Sequence, residues 1–407
     1  DLPLLFNYAE TTQADFQTGT LVDVTATSGG DLELKNTGKA LSFDGVDDYI
    51  NCGNGSSLNI TNEITVELVA KVPPSTRYER FLSKFEFNGT MFKGWDFQIT
   101  NNGNLQAECS NGAQYYKIAN TIVDDNVERH YAFTFSPSGG GIKIYINGSE
   151  AAGNTTGTVP SSVGTTTIPL YIGALNYQGN MYYGKVTIDE VRIWNTARTQ
   201  QQIQANMNKE LAGNETGLVG YWKLNEGTGT TANDSTVSSN NGTIYGASWV
   251  DGLVPSYKTS GTREKVIDLS GANPAGGTKI EWSKTTPTNT TVKVETALST
   301  DGGSTYGAYA EATSGSGIPG ITAGTNLSNA RLKIKETLST TDTSVTPKLH
   351  SLTFNIWEKQ ASTVYGPNKS TLTAWDSISL AWKSDRLSLV VNDTEAAYIT
   401  NPGLPAT

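Results

Sequence analysis

Residues 141–148 read Gly-Ile-Lys-Ile-Tyr-Ile-Asn-Gly, with two further glycines just before them and Asn147-Gly148 closing the run. A period of two puts Ile142, Ile144 and Ile146 on one face of a pleated strand and Lys143 and Tyr145 on the other. Asn-Gly supplies the positive φ angles of a tight hairpin, so the stretch is a half-buried strand between turns. The pattern repeats in Ile64 to Ala70 (ITVELVA), where Ile64, Val66 and Leu68 share a face. Turn signals recur at short intervals: Pro73-Pro74, Asn88-Gly89, Asn102-Gly103 and Asn111-Gly112. Strand after strand with tight turns predicts an all-β chain of sandwiches.

Composition agrees. Glycine accounts for 42 of 407 residues, with 17% charged and 36% apolar residues, a mix that favours short strands over long helices. With 29 basic against 39 acidic residues the net charge is −10, which leaves no broad positive surface for a phosphate backbone, so nucleic acid is not an expected partner. No apolar run approaches the roughly 18 residues of a membrane-spanning helix, and membrane insertion is not expected. The opening DLPLLFNYAE lacks the basic and apolar regions of a secretion signal. Together with an end at Thr407 soon after a strand-like run, this suggests a segment of a longer protein, with further domains or other copies of itself as partners. Two cysteines, Cys52 and Cys109, cannot build a disulfide framework; a single bridge between them stays open. Two histidines, His130 and His350, rule out a His-rich metal centre.

Along the chain, residues 40–250 carry the aromatic-rich alternation, and 251–359 a second β-sandwich richer in Thr and Ser, with KIEW (279–282), TVKVET (291–296) and LHSLTFNIW (349–357) as strands. Residues 1–39, with GTLVDVTATSGGDLELK, are expected to be an N-terminal β segment, the end of a preceding module. Residues 360–407 read as a linker over 360–371 and a hairpin of SISLAW (377–382) and RLSLVV (386–391). Thr199 to Leu211 is the one helical reading, with Thr199 as N-cap and Gly213 beyond its end.

Five ordered motifs, ALSFDGVDDYI (40–50), ITVELVAKV (64–72), IKIYING (142–148), LYIG (170–173) and IDEVRIWN (188–195), resemble the concanavalin A-like, laminin G-like jelly-roll family in its bacterial and pentraxin-related branch. The resemblance covers roughly residues 40 to 250. It implies two antiparallel sheets, one convex and one concave, and binding of glycans or other surface ligands, often with calcium. The 377–391 hairpin echoes residues 130–152 and looks like part of a further copy. The second sandwich is similar, by pattern, to accessory modules of bacterial and phage surface proteins.

The resemblance maps a calcium ligand of the last strand onto Asp189, with Asp44 and the Gly45 carbonyl as partners. In KVTIDEVRIW (185–194) the alternation slips by one residue across Asp189-Glu190, which predicts a β-bulge there. Hard oxygens of carboxylates and turn carbonyls suit calcium. The other reading makes Asp44 and Asp47 turn residues and Asp189 a bulge residue bonded to backbone N–H groups. For ligand binding the strand alignment points to a rim formed by Trp95 and Asp96 with Asn176, Tyr177, Gln178, Asn180 and Tyr182. An aromatic ring beside amides and a carboxylate suits a sugar, whose C–H face stacks while its hydroxyls pair. The alternative is that Trp95 is core.

No E-x-D-x-x-E carboxylate run and no nucleophile motif is found, so catalysis is not expected. The dozen N-x-S/T sequons follow from composition. Two functions remain: a non-catalytic carbohydrate-binding or adhesion module acting outside the cell, at a cell surface or on a virion, with a glycan or cell-surface polysaccharide as partner; or a structural module of a phage tail or cell-surface filament.

Overall fold

The alternating stretches become strands, and the side chains they turn inward build two separate cores. The computed structural model describes residues 4–273 and 275–358, together with the backbone of strands 378–383, 386–391 and 394–400. One core belongs to a jelly roll whose strands run from Lys39 to Asp251. Its first sheet has eight strands. Ser149–Glu150, Gly141–Ile146, Glu128–Ser136, Ile64–Lys71, Lys185–Trp194, Lys39–Asp44 and Ser248–Asp251 lie side by side, and Leu218–Trp222 also pairs with Lys185–Trp194. Its second sheet orders nine: Gly153–Thr156, Tyr116–Ile122, Asn104–Gly112, Phe92–Ile99, Glu79–Phe87, Tyr171–Ile172, Tyr49–Asn51, Gly242–Tyr245 and Thr231–Ala232. Ile64, Val66 and Leu68 from the first sheet meet Phe81, Phe97 and Leu105 from the second, as period-two burial requires.

The far face of the eight-stranded sheet is filled as well. Glu67, buried there, takes His130 at 3.1 Å and Arg198 at 3.6 Å. Arg192 pairs with Glu190 at 2.5 Å, also out of water. The predicted bulge is present: the register against Ile64–Lys71 shifts between Asp189 and Arg192, and Glu190 sits at φ +53°. The helix spans Gln200–Asn206, with Thr199 and Gln202 forming a reciprocal capping box. It stops short of the predicted Leu211 where Arg192 takes the carbonyls of Asn206 and Lys209. Cys52 and Cys109 are both buried and free, so the bridge left open by the sequence is not formed.

The second sandwich corrects the reading of residues 1–39. Its first sheet sets Leu4–Glu10 and Leu32–Leu34 along one edge of Lys348–Glu358, with Val24–Ala26 beyond and Ala275–Thr285 on the other edge. Its second sheet runs Thr20–Val22, Ser260–Asp268, Arg331–Thr340, Thr290–Ser299, Ala310–Glu311. The N-terminal strands are therefore part of this sandwich and not the end of a preceding module. Phe6 and Tyr8 stack on Phe354 at 5.8 and 5.0 Å. Arg263, fully buried, donates to Glu10 at 2.9 Å and to Glu336 at 2.8 Å, locking the first strand onto the rest.

The jelly roll is thus an insertion, joined through a neck of two adjacent segments. Lys258 N–H donates to the Lys35 carbonyl at 3.0 Å, Thr37 N–H to Ser256 at 2.8 Å and Gly252 N–H to Gly38 at 2.9 Å. Downstream, Ile378–Lys383 and Arg386–Val391 pair as a hairpin and Thr394–Thr400 adds a third strand. The linker read at 360–371 lies outside the described residues.

Candidate functional site

Tight turns join Glu79–Phe87, Phe92–Ile99, Asn104–Gly112 and Tyr116–Ile122 as neighbours in the nine-stranded sheet, and this sets which side chains stand abreast. Arg80 faces Gln98, Gln98 faces Gln106, and Gln106 faces Ile118. In the next row Ser83 faces Asp96, Asp96 faces Glu108, and Glu108 faces Tyr116. Because Phe97, Ala107 and Cys109 alternate into the core, both rows point outward. Above them lies a hollow of about 570 Å³. Its floor is Arg80, Asp96, Gln98, Gln106 and Glu108, and its walls are aromatic.

The wall is held by stacking. The hairpin of Ala174–Tyr177 and Asn180–Tyr183 brings Tyr177 over Phe87, with ring centroids 5.4 Å apart and 14° between planes. Phe87 in turn stacks on Phe92 at 4.4 Å. Tyr78 and Tyr182 flank the Arg80 guanidinium, 5.2 and 5.9 Å from their ring centres. Such rings offer flat apolar faces with phenol oxygens at their rims.

The floor is polar and short of water. The Arg80 guanidinium lies 3.6 Å from Asp96 Oδ2. Burial pushes the Asp96 carboxyl up to about 6, with Arg80 and the Phe97 N–H opposing. Burial pushes Glu108 up to about 7; Ser110 and Gln114 oppose this, and the charge of Asp96 adds to it. Ser110 Oγ donates to one Glu108 oxygen at 2.8 Å and Gln114 Nε2 to the other at 3.1 Å. Asp96 Oδ1, Gln98 Oε1 and Arg80 Nε have no hydrogen-bond partner among the described residues. Floor residues with unmet polar atoms leave room for a ligand rich in hydroxyls.

The residues singled out in the sequence fall into three groups. Asp96, Tyr177 and Tyr182 line the hollow. Trp95 does not: it lies in mid-strand opposite Cys109, faces inward and packs on Phe133 at 6.1 Å. Adjacent residues of a strand point to opposite faces, so Trp95 and Asp96 cannot share a site, and the core reading of Trp95 holds. Asn176, Gln178 and Asn180 shape the hairpin tip. Asn176 Oδ1 accepts the Gly179 N–H at 3.0 Å, Gln178 is exposed at φ +54°, and Asn180 pairs with Tyr177 across the turn. They are not among the lining residues.

Asp44, Gly45 and Asp189 do not form a calcium site. Lys185 stands opposite Asp44 and Ile188 opposite Leu41, so Asp189 is displaced along the strand by about 13 Å at ~3.3 Å per residue. Asp189 Oδ2 accepts the N–H groups of Leu253 and Val254, each at 2.9 Å, as the backbone-bonded reading has it. The Gly45 carbonyl accepts from Arg77 at 2.9 Å. Asp44, Asp47 and Asp48 do cluster, but Asp44 accepts the Val46 N–H and Asp48 the Asp44 N–H, the bonds of a turn.

Arg80, Gln98, Gln106, Glu108 and Tyr116 were not marked by sequence reasoning. A signal was present: Asp96-x-Gln98 and Gln106-x-Glu108 lie on consecutive strands joined by a short turn with Gly103 at φ +78°. Folding that turn places the two pairs side by side. It also sets two carboxyls together that a search within one strand does not find.

Residues 44–204 match the concanavalin A-like lectin/glucanases superfamily. No curated protein sequence matches the chain. Among solved structures, one similar chain is a protein from Bacteroides ovatus ATCC 8483 proposed to bind carbohydrate. It is 22% identical at a TM-score of 0.43, over 57% of this chain and 66% of that one. A second is the CBM40 of the Ruminococcus gnavus IT-sialidase bound to α2,3 sialyllactose, 15% identical at a TM-score of 0.34, over 42% of this chain and 100% of that one. A third is a heptameric SAP-like pentraxin from Limulus polyphemus, 15% identical at a TM-score of 0.32, over 42% of this chain and 82% of that one.

Proposed function

We propose that this concanavalin A-like, laminin G-type jelly roll binds carbohydrate in the hollow of its nine-stranded sheet and does not cleave it. One observation carries the reading: a floor of buried amides, carboxyls and one guanidinium enclosed by stacked aromatic rings. A saccharide ring has an apolar C–H face that lies on an aromatic plane and a rim of hydroxyls that both donate and accept. The reading treats the chain as a recognition or adhesion unit outside the cell, where polysaccharide surfaces are met. It is read as non-catalytic because the sequence carries no E-x-D-x-x-E carboxylate run and Asp96 faces the Arg80 guanidinium at 3.6 Å.

A glycan array followed by calorimetry tests this. Binding is expected at a single site, and Tyr177→Ala is expected to weaken it about tenfold through loss of one stacking face. Absence of binding to every glycan would remove the proposal. New reducing ends released from a bound oligosaccharide would remove its non-catalytic half.

A further inference from the structure

We infer that the hollow selects uncharged or amino-bearing saccharides and turns away anionic ones, such as sialylated or uronic-acid glycans. The inference rests on the carbohydrate reading above and adds the charge class of the ligand.

The charged groups lining the hollow are one cation, Arg80, and two carboxyls, Asp96 and Glu108. The charge of Arg80 is offset: its guanidinium lies 3.6 Å from Asp96 Oδ2 and near the rings of Tyr78 and Tyr182, although its Nε has no hydrogen-bond partner among the described residues. Ring faces are electron-rich and take up the field of a guanidinium. Glu108 has neutral partners, Ser110 and Gln114, and no cation of its own. With both carboxyls ionised the floor carries one net negative charge. A carboxylate ligand would approach a second, uncompensated carboxylate in a site partly closed to water, where like charges are poorly screened. The charge of the Arg80 guanidinium is offset by the Asp96 carboxylate it faces, so a sugar acid meets no uncompensated cation in the floor. Hydroxyls and ammonium groups, by contrast, donate to Asp96 Oδ1 and Gln98 Oε1, the acceptors left without partners. The chain's net charge of −10 acts in the same direction at longer range.

Proton binding should remove the preference. The carboxyl of Asp96, held at about 6, and that of Glu108, held at about 7, are both charged at pH 8 and both largely neutral at pH 5, while Arg80 keeps its charge. The floor then passes from net negative to net positive. The other ionisable side chains lining the hollow are the phenols of Tyr78, Tyr116, Tyr177 and Tyr182. Glu79, next to Arg80 in the chain, is turned away from the hollow and held by Arg77 and the Lys185 N–H.

The test uses the full chain and an array of matched probes. Lactose is paired with 3′-sialyllactose, xylo-oligosaccharides with glucuronic-acid-substituted ones, and chitotriose with its deacetylated amine. At pH 8 each acidic partner is expected to bind at least tenfold more weakly than its neutral counterpart, and at pH 5 the gap should close. Glu108→Gln keeps acceptable partners for Ser110 and Gln114, and its fold is checked by circular dichroism. It should bring the acidic-to-neutral ratio at pH 8 below about threefold, whatever it does to either affinity. Equal binding of neutral and acidic partners at pH 8, or a ratio unmoved by Glu108→Gln, would overturn the selectivity and leave the carbohydrate reading intact. Binding of no saccharide at either pH would overturn both.

Discussion

Glu108 is 3% exposed and lies beside a second buried carboxyl, so its environment favours the protonated form. Its folded pKa of about 7 stands above the ordinary value of 4.5, so between these limits the native state holds more proton than the unfolded chain. Stability therefore falls as pH rises through this interval, and the penalty is complete above pH 7. Glu108→Gln removes that slope. It should raise the unfolding free energy by about 1–3 kcal/mol at pH 8, given ~1.4 kcal/mol per unit, and leave it unchanged near pH 4. Urea titrations at the two pH values measure this; a variant no more stable than the parent at pH 8 would show that Glu108 is not strained by burial. A group kept at a cost to stability is what a binding floor, unlike a spacer, would retain.

At the scale of elements, the strand Leu4–Glu10 shows how far alternation can be read. Its pattern identifies a strand, yet its partner, Lys348–Glu358, lies beyond a whole intervening domain, and nothing local specifies a pairing at that distance. Glu10 closes the join, since Arg263 and Lys265 both reach it. Glu10→Ala leaves the buried Arg263 with Glu336 as its one carboxylate partner beside the Thr18 and Asp15 carbonyls, and should cost about 3 kcal/mol in the second sandwich, read as an earlier denaturant transition of that domain. An unchanged transition would mean that the first strand is held by its apolar contacts only. The same reasoning explains what was legible in the hollow. Tyr177 and Tyr182 were visible because the Tyr-rich hairpin lies between two turn signals. Glu108 was not, because its meaning comes from Asp96 across the sheet. Trp95 belongs to a strand interior, where it and Asp96 face opposite ways, and Asp189 shares a sheet with Asp44 without the two residues meeting at one point.

On the scale of the whole molecule, one sandwich is inserted in the sequence of another, and the two paired neck segments, residues 35–39 and 251–258, are the covalent connections between them. Leu4 lies opposite Trp357, so the strands that begin and end the outer sandwich are paired neighbours. Traction applied with handles at residues 4 and 358 would therefore peel these two strands apart one rung at a time. Optical-tweezer records should show a first, low-force rip from the outer sandwich, with the lengthening from residues 39–251 appearing only afterwards. Appearance of the jelly-roll step first would contradict the strand pairing. Within the outer sandwich's elastic range the load between residues 4 and 358 passes through its two paired strands and bypasses the inserted jelly roll. Its shape is then insulated from drag along the chain.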